Sequence, residues 1–451
     1  MFFDNILGEE EIKDYSQEYL SFRPMKKLTK FKYEVLGTVT TNGNVNGYLQ
    51  YSRDGGCTWK DLQPDTYTED IRFNDVVMWR KNENVTITPS PGNIQTKIYY
   101  WQEGGSHDPY TIMQLGSQLN PVNSYNTNTD EASSGGSIHF TSNGNFEAYG
   151  NPASILYSND FSIYGNEQPL PAYAFARMFN NNTYLYKADK LYLSYNILSE
   201  YCCSYMFNRC TNLYYTPQLY STNLAKACYA FMFAEANNDN IGSDVQYPKV
   251  QPWFNCNQMG AWSSNYPSGY EYAPKVLPAE ILAERCYYGM YLHCGHMRVV
   301  PLIKAKTAAK ECCMKMFLDS GWFSSAFVKL NFETLAKGCC AYMLTWSGLV
   351  PQFYSETLTD KCYYALNTQS YIQFQYPLNE MIILAKEVDE TTTWEDATRI
   401  WIGHESTGIN NSVVRFIKND DYEWTKINSS HGMSGAIPSK WTVKNYSEVN
   451  S

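Results

Sequence analysis

A recurring phrase of about ten residues restricts the fold of this chain more than any other feature. Its copies are LSEYCCSYMF from Leu198, LAKACYAFMF from Leu224, LAERCYYGMY from Leu282 and LAKGCCAYML from Leu335. Weaker copies begin at Ala308 and Leu358, and a degenerate copy, LPAYAFARMF, begins at Leu170. A nearly fixed step of twenty-odd residues is typical of stacked coils, so the sequence predicts a solenoid of about seven coils.

Each copy except the degenerate one has an anchor cysteine, and in most copies a methionine follows four residues later. The degenerate copy has Ala174 in place of the cysteine. The predicted structural anchors are Cys202, Cys228, Cys286, Cys312, Cys339, Cys362, Met206, Met232, Met290, Met316 and Met343. Leucine, cysteine and methionine at i, i+4 and i+8 share one face of a short helix. Such a helix would not persist alone in water, so neighbouring coils must support it. We therefore expect each coil to be a short strand, a turn and a helix.

The repeat phrase and its flanks resemble a known family. LAxxCYxxMF followed by C-x-x-L, as at residues 210–213, resembles the BspA-type leucine-rich repeats of Bacteroidales surface proteins and of virion proteins of phages that infect them. The flanks YSRDGGCTW from Tyr51, YGN from Tyr149 and SGAIPSKWTV from Ser434 are similar too. These marks span residues 30–445, interrupted by a long insertion after the second full coil. The resemblance implies a leucine-rich-repeat solenoid with a role in attachment.

The predicted fold class is multidomain α+β, because the patterns on either side of the repeats differ from the repeats themselves. From Phe31, alternating runs and tight-turn sequences predict a β-sandwich-like region. After the repeats, hairpin-like runs predict a β-rich cap over the last coil. The predicted segments are an N-terminal arm (1–28), a β-rich attachment domain (29–165), the repeat solenoid (166–379) and a C-terminal cap (380–451).

An insertion at residues 237–273 interrupts the repeats and is rich in aromatic residues. Insertions in repeat proteins form loops on one face, often the binding face. The candidate binding residues are Trp253, Phe254, Trp262, Tyr266, Tyr270 and Tyr272. They predict a contact surface for a ligand or for another copy of the chain. Packing of the insertion on its own coil is the alternative.

Charge and hydropathy exclude several function classes. The net charge is −10, which argues against sequence-independent nucleic-acid binding because that binding requires neutralisation of phosphates. The first residues are acidic where a signal peptide would be basic, and no apolar run is long enough for a membrane span. We therefore expect synthesis in a host cytoplasm, no membrane insertion and no nucleic-acid partner.

The sequence predicts no catalytic residue, metal or cofactor. Residues 52–59 fit the S-x-D-x-G-x-T-W Asp-box of sialidases, but that motif is a hairpin turn away from the catalytic site. His293 and His296 lie near Cys286 and Cys294, yet those cysteines occupy ordinary repeat positions and paired CxxC units are missing. Most of the 13 cysteines follow the repeat, so we expect buried free thiols rather than disulfides.

The function expected from the resemblance is that of a non-enzymatic virion protein, a head or tail fibre of a crAss-like phage. Such a protein attaches to the particle and presents a repeat surface to a host glycan or protein. The expected partners are other virion proteins and further copies of the chain, with a trimer as one arrangement. The alternatives are a bacterial surface adhesin of the same repeat family, a polysaccharide depolymerase and a purely structural decoration protein.

Overall fold

A computed structural model provides the structure of the chain. It describes residues 15–25, 28–92, 94–96, 131–133, 135–210, 212–234, 274–292, 294, 300–318, 320, 327–336, 338–341, 343–344, 347 and 350–355. Beyond these it describes the strands at 382–385, 399–403, 413–417, 424–426, 436–438 and 442–444.

Strands dominate the N-terminal part. They are β1 (Leu20–Pro24), β2 (Leu28–Thr29), β3 (Phe31–Val35), β4 (Thr38–Thr41), β5 (Leu49–Ser52), β6 (Lys60–Leu62), β7 (Ile71–Arg72), β8 (Val77–Lys81), β9 (Val85–Thr88), β10 (Ile94–Thr96), β11 (Glu131–Ser133), β12 (Ile138–Ser142), β13 (Phe146–Gly150) and β14 (Leu185–Leu191). One sheet has the order β14-β13-β1-β8-β5-β6, and four two-stranded pairs join β3 with β12, β2 with β7, β4 with β9 and β10 with β11.

An aromatic core joins the six-stranded sheet to the β3–β12 pair. Alternation along the strands sends every second side chain inward. Phe22 of β1 meets Phe140 of β12 edge-on with ring centroids 5.0 Å apart, and Trp79 of β8 lies 5.2 Å from the same ring. All three side chains are fully buried. The two layers therefore share one core.

The six-stranded sheet takes strands from three of the segments predicted from the sequence. β1 precedes residue 29 and pairs antiparallel with both β13 and β8. β14 follows residue 165 and pairs in parallel with β13. Between β13 and β14 lie the short helix α1 (Ser154–Tyr157) and a 3₁₀ turn (Phe161–Ile163). The sheet thus leads directly into the repeats.

The repeats are not helical, and the predicted α+β class with helical leucine-rich-repeat coils is wrong. Among the described residues the one α-helix is α1, with four residues, and the repeat phrases form consecutive turns at 172–181, 200–209, 226–233, 284–292, 310–318 and 338–341. Left-handed residues recur every four positions, as at Ala227 (φ 51°) and Phe231 (φ 54°). A residue at positive φ interrupts a right-handed helix, so the four-residue spacing is that of turns.

Backbone hydrogen bonds in the repeats alternate between two kinds of partner. Within a coil, the Met232 N–H donates to the Tyr229 carbonyl oxygen three residues back, at 3.2 Å. Its neighbour Phe233 donates to Met290 of the next coil, at 3.0 Å. The same alternation runs through the described coils up to the one that contains Cys312. Each of these N–H groups therefore donates either within its own turn or to the next coil. We call this arrangement, residues 170–344 as far as described, the turn stack.

Side chains of the turn stack divide between two clusters. The anchor cysteine, the anchor methionine and the residue after each join the main core, which continues from the aromatic core of the sheets. Ring stacking runs along this core from Phe179 to Phe207 to Phe233, with centroids 5.8 and 5.5 Å apart. In the coils of Cys202 and Cys228, the residues before the cysteine and before the methionine, such as Ala227 and Phe231, belong to a second cluster. Tyr288, Met314 and Ala341, two positions before the methionine, continue this cluster in the later coils.

Strand β12 occupies the place of a preceding coil beneath the first turn segment. The Phe140 N–H donates to the Met178 carbonyl oxygen at 2.8 Å, and the Asn182 side chain donates to the Phe140 carbonyl oxygen at 3.1 Å. The ring of Phe140 also stacks on Phe179, with centroids 6.2 Å apart. The N-terminal sheets thus cover the first coil. The sequence had predicted only an attachment role for this region.

Parallel strands connect the later coils. They are β15 (Val276–Leu277), β16 (Ile281–Leu282), β17 (Leu302–Ile303), β18 (Thr307–Ala308), β19 (Phe327–Phe332), β20 (Thr334–Leu335) and β21 (Val350–Ser355). β15 pairs with β17, β16 with β18, β18 with β20 and β19 with β21, all in parallel.

Beyond β21 the sheet changes from parallel to antiparallel. The last strands are β22 (Ile382–Ala385), β23 (Arg399–Gly403), β24 (Val413–Ile417), β25 (Trp424–Lys426), β26 (Ala436–Pro438) and β27 (Thr442–Lys444). β22 still pairs in parallel with β21, whereas β23, β24 and β27 add antiparallel strands at the same edge. In the part of the chain that the structure describes, no helix has the length and apolar character needed to span a membrane.

Candidate functional site

The structure describes only some of the residues singled out from the sequence. The six candidate binding aromatics, Trp253, Phe254, Trp262, Tyr266, Tyr270 and Tyr272, lie outside the described residues, as does Cys362. The other anchors are all fully buried: Cys202, Cys228, Cys286, Cys312, Cys339, Met206, Met232, Met290, Met316 and Met343. A binding role for the insertion therefore stays a prediction.

The anchor cysteines contribute their backbone as well as their side chains. The carbonyl oxygen of Cys228 accepts the N–H of Cys203 from the preceding coil at 2.9 Å. Burial raises the pKa of the Cys228 and Cys286 thiols well above the usual value. These thiols are therefore protonated small apolar groups, and nucleophilic chemistry is not to be expected of them.

The Asp-box residues form the turn between β5 and β6, as the sequence predicted. Asp54 accepts hydrogen bonds from the Thr58 N–H at 2.9 Å and the Thr58 hydroxyl at 2.6 Å, and the Ser52 hydroxyl donates to it at 2.7 Å. These donors lower the pKa of Asp54 to about 2. The Asp54 carboxylate thus spends its hydrogen-bonding capacity on residues of its own turn.

The outward side of the six-stranded sheet presents a row of polar and aromatic side chains. Leu20 and Phe22 of β1 face the core, so Arg23, one position on, faces away from it. Strand pairing places Arg23 opposite Glu147, Glu147 opposite Lys187, and Lys187 opposite Tyr215 of the next coil. We call these four residues the cross-strand row. With neighbouring strands about 4.8 Å apart, it extends over about 14 Å.

Glu147 is the charged centre of the cross-strand row. Arg23 Nη1 lies 3.3 Å from one carboxylate oxygen, and Lys190 Nζ lies 3.6 Å from the other. The Glu147 side chain is only 10% exposed, whereas those of Arg23 and Lys190 are 37% and 44% exposed. The carboxylate is therefore held beneath two cations that remain open to water.

Aromatic rings lie beside the cations of this face. The guanidinium carbon of Arg23 lies 5.2 Å from the centre of the Tyr149 ring, and Lys187 Nζ lies 4.2 Å from that of Tyr215. Such contacts contribute about 0.5–1 kcal/mol each at exposed sites. Because both members of each pair are on strands or strand bridges, the cations are held in place by rigid backbone.

A third cation–aromatic pair lies further along the same sheet. The Arg80 guanidinium lies 4.3 Å from the centre of the Trp59 ring and donates to Asn159 at 2.8 Å and to Gln50 at 2.9 Å. The Tyr19 hydroxyl donates to the same Asn159 oxygen at 2.8 Å. The Arg80 side chain is only 14% exposed. The Arg80–Trp59 pair is therefore better placed to hold neighbouring loops and strands together than to contact a ligand.

The described residues contain no group of three His, Cys, Asp or Glu side chains arranged to hold a metal ion. Of the histidines and cysteines that were considered and rejected as metal ligands, His293 and His296 lie outside the described residues. The Cys294 thiol is buried 3.5 Å from the Phe233 carbonyl oxygen. That thiol packs into the stack as its counterpart Cys210 does beside the Phe179 carbonyl oxygen, at 3.0 Å.

Sequence reasoning missed the cross-strand row because its members come from three separate segments. A local signal was nevertheless present. In LSFRP and FEAYG, charged or aromatic residues alternate with core residues, as Arg23 does with Phe22 and Tyr149 with Ala148. Such alternation predicts a polar face on each strand. It does not predict which strands become neighbours.

Comparison with protein-family models, with curated proteins and with solved structures gave no match.

Proposed function

We propose that this chain is a non-enzymatic virion protein, a head or tail fibre of a crAss-like phage, that binds the host surface through the outward face of its six-stranded sheet. The phage assignment is supported by the resemblance of the repeat phrase to BspA-type repeats of Bacteroidales surface proteins and phage virion proteins. The binding assignment is supported by the cross-strand row together with Lys190, which contacts Glu147 of that row.

One observation carries the binding assignment: Arg23 and Lys190 stay open to water while they hold a Glu147 carboxylate that is nearly buried. A surface whose role was only structural would gain little from half-exposed cations, since exposed ion pairs contribute about 0–1 kcal/mol. Rigid strands with aromatic rings beside the cations provide a binding surface that loses little entropy on contact.

Copies of the chain would act together in such a particle. A single shallow face makes few contacts, so its affinity for one ligand group would be weak. Several copies on one particle make later contacts intramolecular, which raises the overall affinity by about 10²–10⁴. We therefore expect a homo-oligomer bound to other capsid or tail proteins.

The test of the virion assignment is to locate the chain. Antibodies raised against the purified chain are applied to intact particles from a lysed Bacteroidales culture that encodes it, and labelling is viewed by electron microscopy. Labelling at the head or tail supports the proposal. Labelling of uninfected cell envelopes instead of particles would favour the bacterial adhesin.

A second assay separates binding from catalysis. The purified chain is incubated with host capsular polysaccharide, and new reducing ends are measured over time. The proposal expects binding without an increase in reducing ends. Sustained release of reducing ends would identify a depolymerase.

A further inference from the structure

We infer that the ligand of the cross-strand row is an acidic polysaccharide, a sugar chain with carboxylate groups. This inference rests on the proposed binding function and specifies the chemistry of the ligand. It depends on the balance of charge around Glu147 and on the rings that lie beside the cations.

The charged side chains on three adjacent strands favour the binding of an anionic ligand. β1, β13 and β14 together have three cations, Arg23, Lys187 and Lys190, against two carboxylates, Glu147 and Asp189. The chain as a whole has a net charge of −10, so this face is locally positive on an acidic protein. A ligand carboxylate near Arg23 and Lys190 would meet two cations that share a single carboxylate of the protein, that of Glu147.

The position of Glu147 in the sheet leaves Arg23 and Lys190 able to bind a further carboxylate. Glu147 lies between its two cations and takes one contact with each oxygen, at 3.3 and 3.6 Å. Both distances exceed those of tight charge-assisted hydrogen bonds, which are about 2.7–2.9 Å. The two cations therefore keep N–H groups that can donate hydrogen bonds to a second carboxylate from solution.

Aromatic rings beside Lys187 favour the binding of an acidic sugar over that of a simple anion. Tyr215 lies beneath Lys187, and Tyr186 and Tyr214 follow with ring centroids 4.7 Å apart. These three side chains are partly exposed. The face of a tyrosine ring packs against apolar C–H groups, while its hydroxyl end hydrogen-bonds. A sugar ring with a carboxylate offers both kinds of group in one unit.

The test measures binding of the full-length chain to three immobilised polymers: polygalacturonate, neutral dextran and poly-glutamate. The expected result is binding to polygalacturonate that weakens with added salt, weaker binding to poly-glutamate and none to dextran. Equal binding to dextran, or no binding to polygalacturonate, would refute the inference. Equal binding to poly-glutamate would show that charge alone is recognised and would refute the sugar assignment.

Two variants shift the charge balance in opposite directions. Lys187→Gln/Lys190→Gln leaves Arg23 to pair with Glu147 and should weaken polygalacturonate binding about tenfold or more. Glu147→Gln removes the internal competitor and should strengthen it. The matched control is Lys304→Gln/Lys306→Gln, which removes the same charge from exposed positions on the later coils and should leave binding unchanged.

The outcomes also separate this inference from the proposed function. Loss of binding in the control to the same extent as in Lys187→Gln/Lys190→Gln would show a general effect of net charge and would refute a site at the cross-strand row. Circular dichroism of each variant shows whether it is folded, and Glu147→Gln provides an opposite result that misfolding cannot imitate. Antibody labelling of the particle is independent of all these results, so the virion assignment can fail while the acidic ligand stands.

Discussion

Phe140 of β12 stacks on Phe179 of the first coil, and its N–H donates to the carbonyl oxygen of Met178. This pair joins the N-terminal sheets to the turn stack through one continuous core. The sheets and the first coil should consequently unfold together.

Phe140→Ala tests that coupling. Phe140 is fully buried, so the cavity should lower the free energy of unfolding by about 3–5 kcal/mol. The measurement is urea unfolding followed by tryptophan fluorescence and by circular dichroism. Thr141→Ala, at the next position of the same strand, is the control and should have a small effect. Two separate transitions, with only one shifted in Phe140→Ala, would contradict a shared core.

Ala227→Gly distinguishes turns from helices in the repeats. Ala227 has φ 51°, where an L-residue is strained by about 1–2 kcal/mol and glycine is not. The substitution should therefore stabilise the chain or leave its stability unchanged, although it removes a buried methyl group. Gly338 has φ 63° at the corresponding place in a later coil.

The matched control is Ala230→Gly, three residues on in the same coil, where Ala230 does not have a positive φ. It should destabilise the chain by about 1 kcal/mol, because glycine loses more backbone entropy on folding. Thermal unfolding of both variants gives the comparison. Equal destabilisation by the two substitutions would indicate a helix.

Arg285 and Glu311 form a buried ion pair between neighbouring coils, with Arg285 Nε 2.7 Å from Glu311 Oε2 and both side chains 8% exposed. Arg285→Met should lower the free energy of unfolding by about 3–5 kcal/mol, because the buried Glu311 carboxylate then keeps only its longer contact with Lys310, at 3.8 Å. Arg285→Met/Glu311→Leu should recover much of that loss. A double-mutant cycle in urea measures the coupling, and purely additive losses would contradict it.

Glu34 should contribute a pH-dependent term to stability. His139, with Nδ1 3.7 Å away, and Lys32, at 3.5 Å, lower the pKa of Glu34 from 4.5 to about 2. A lowered folded-state pKa stabilises the chain above about pH 4.5, and the contribution is lost as the pH falls toward about 2. Since the Glu34 side chain is 42% exposed, we expect less than about 1 kcal/mol.

Glu34→Gln should accordingly reduce stability near neutral pH and flatten its decline in acid. The measurement is urea unfolding at a series of pH values from about 7 down to about 3. Glu200→Gln, at an exposed position, is the control and should keep the wild-type pH profile. An unchanged profile in Glu34→Gln would show that the carboxylate is not coupled to His139.

The sequence showed where the repeats lie, but the fold predicted for them was wrong. Apolar residues at Leu224, Cys228 and Met232 fit both a helix of 3.6 residues per turn and turns that repeat every four residues. Over eight residues the two periods differ too little to be told apart. The pairs Cys228-Tyr229 and Met232-Phe233, all buried in the main core, were the signal that two adjacent side chains face inward at each step.

The Asp-box turn could be predicted because its residues act on their own backbone. Ser52, Asp54 and Thr58 lie close in sequence, so local chemistry determines their geometry. The cross-strand row could not be predicted in this way. Arg23 and Glu147 are 124 residues apart, and only the pairing of β1 with β13 brings them together.

Competition for adsorption tests the central claim most directly. Particles that contain this chain are mixed with Bacteroidales host cells in the presence of increasing amounts of the purified chain, and the rate of particle adsorption is measured. The account predicts that the wild-type chain slows adsorption and that the Lys187→Gln/Lys190→Gln chain does so much less. An adsorption rate that stays constant at every concentration of wild-type chain would contradict it.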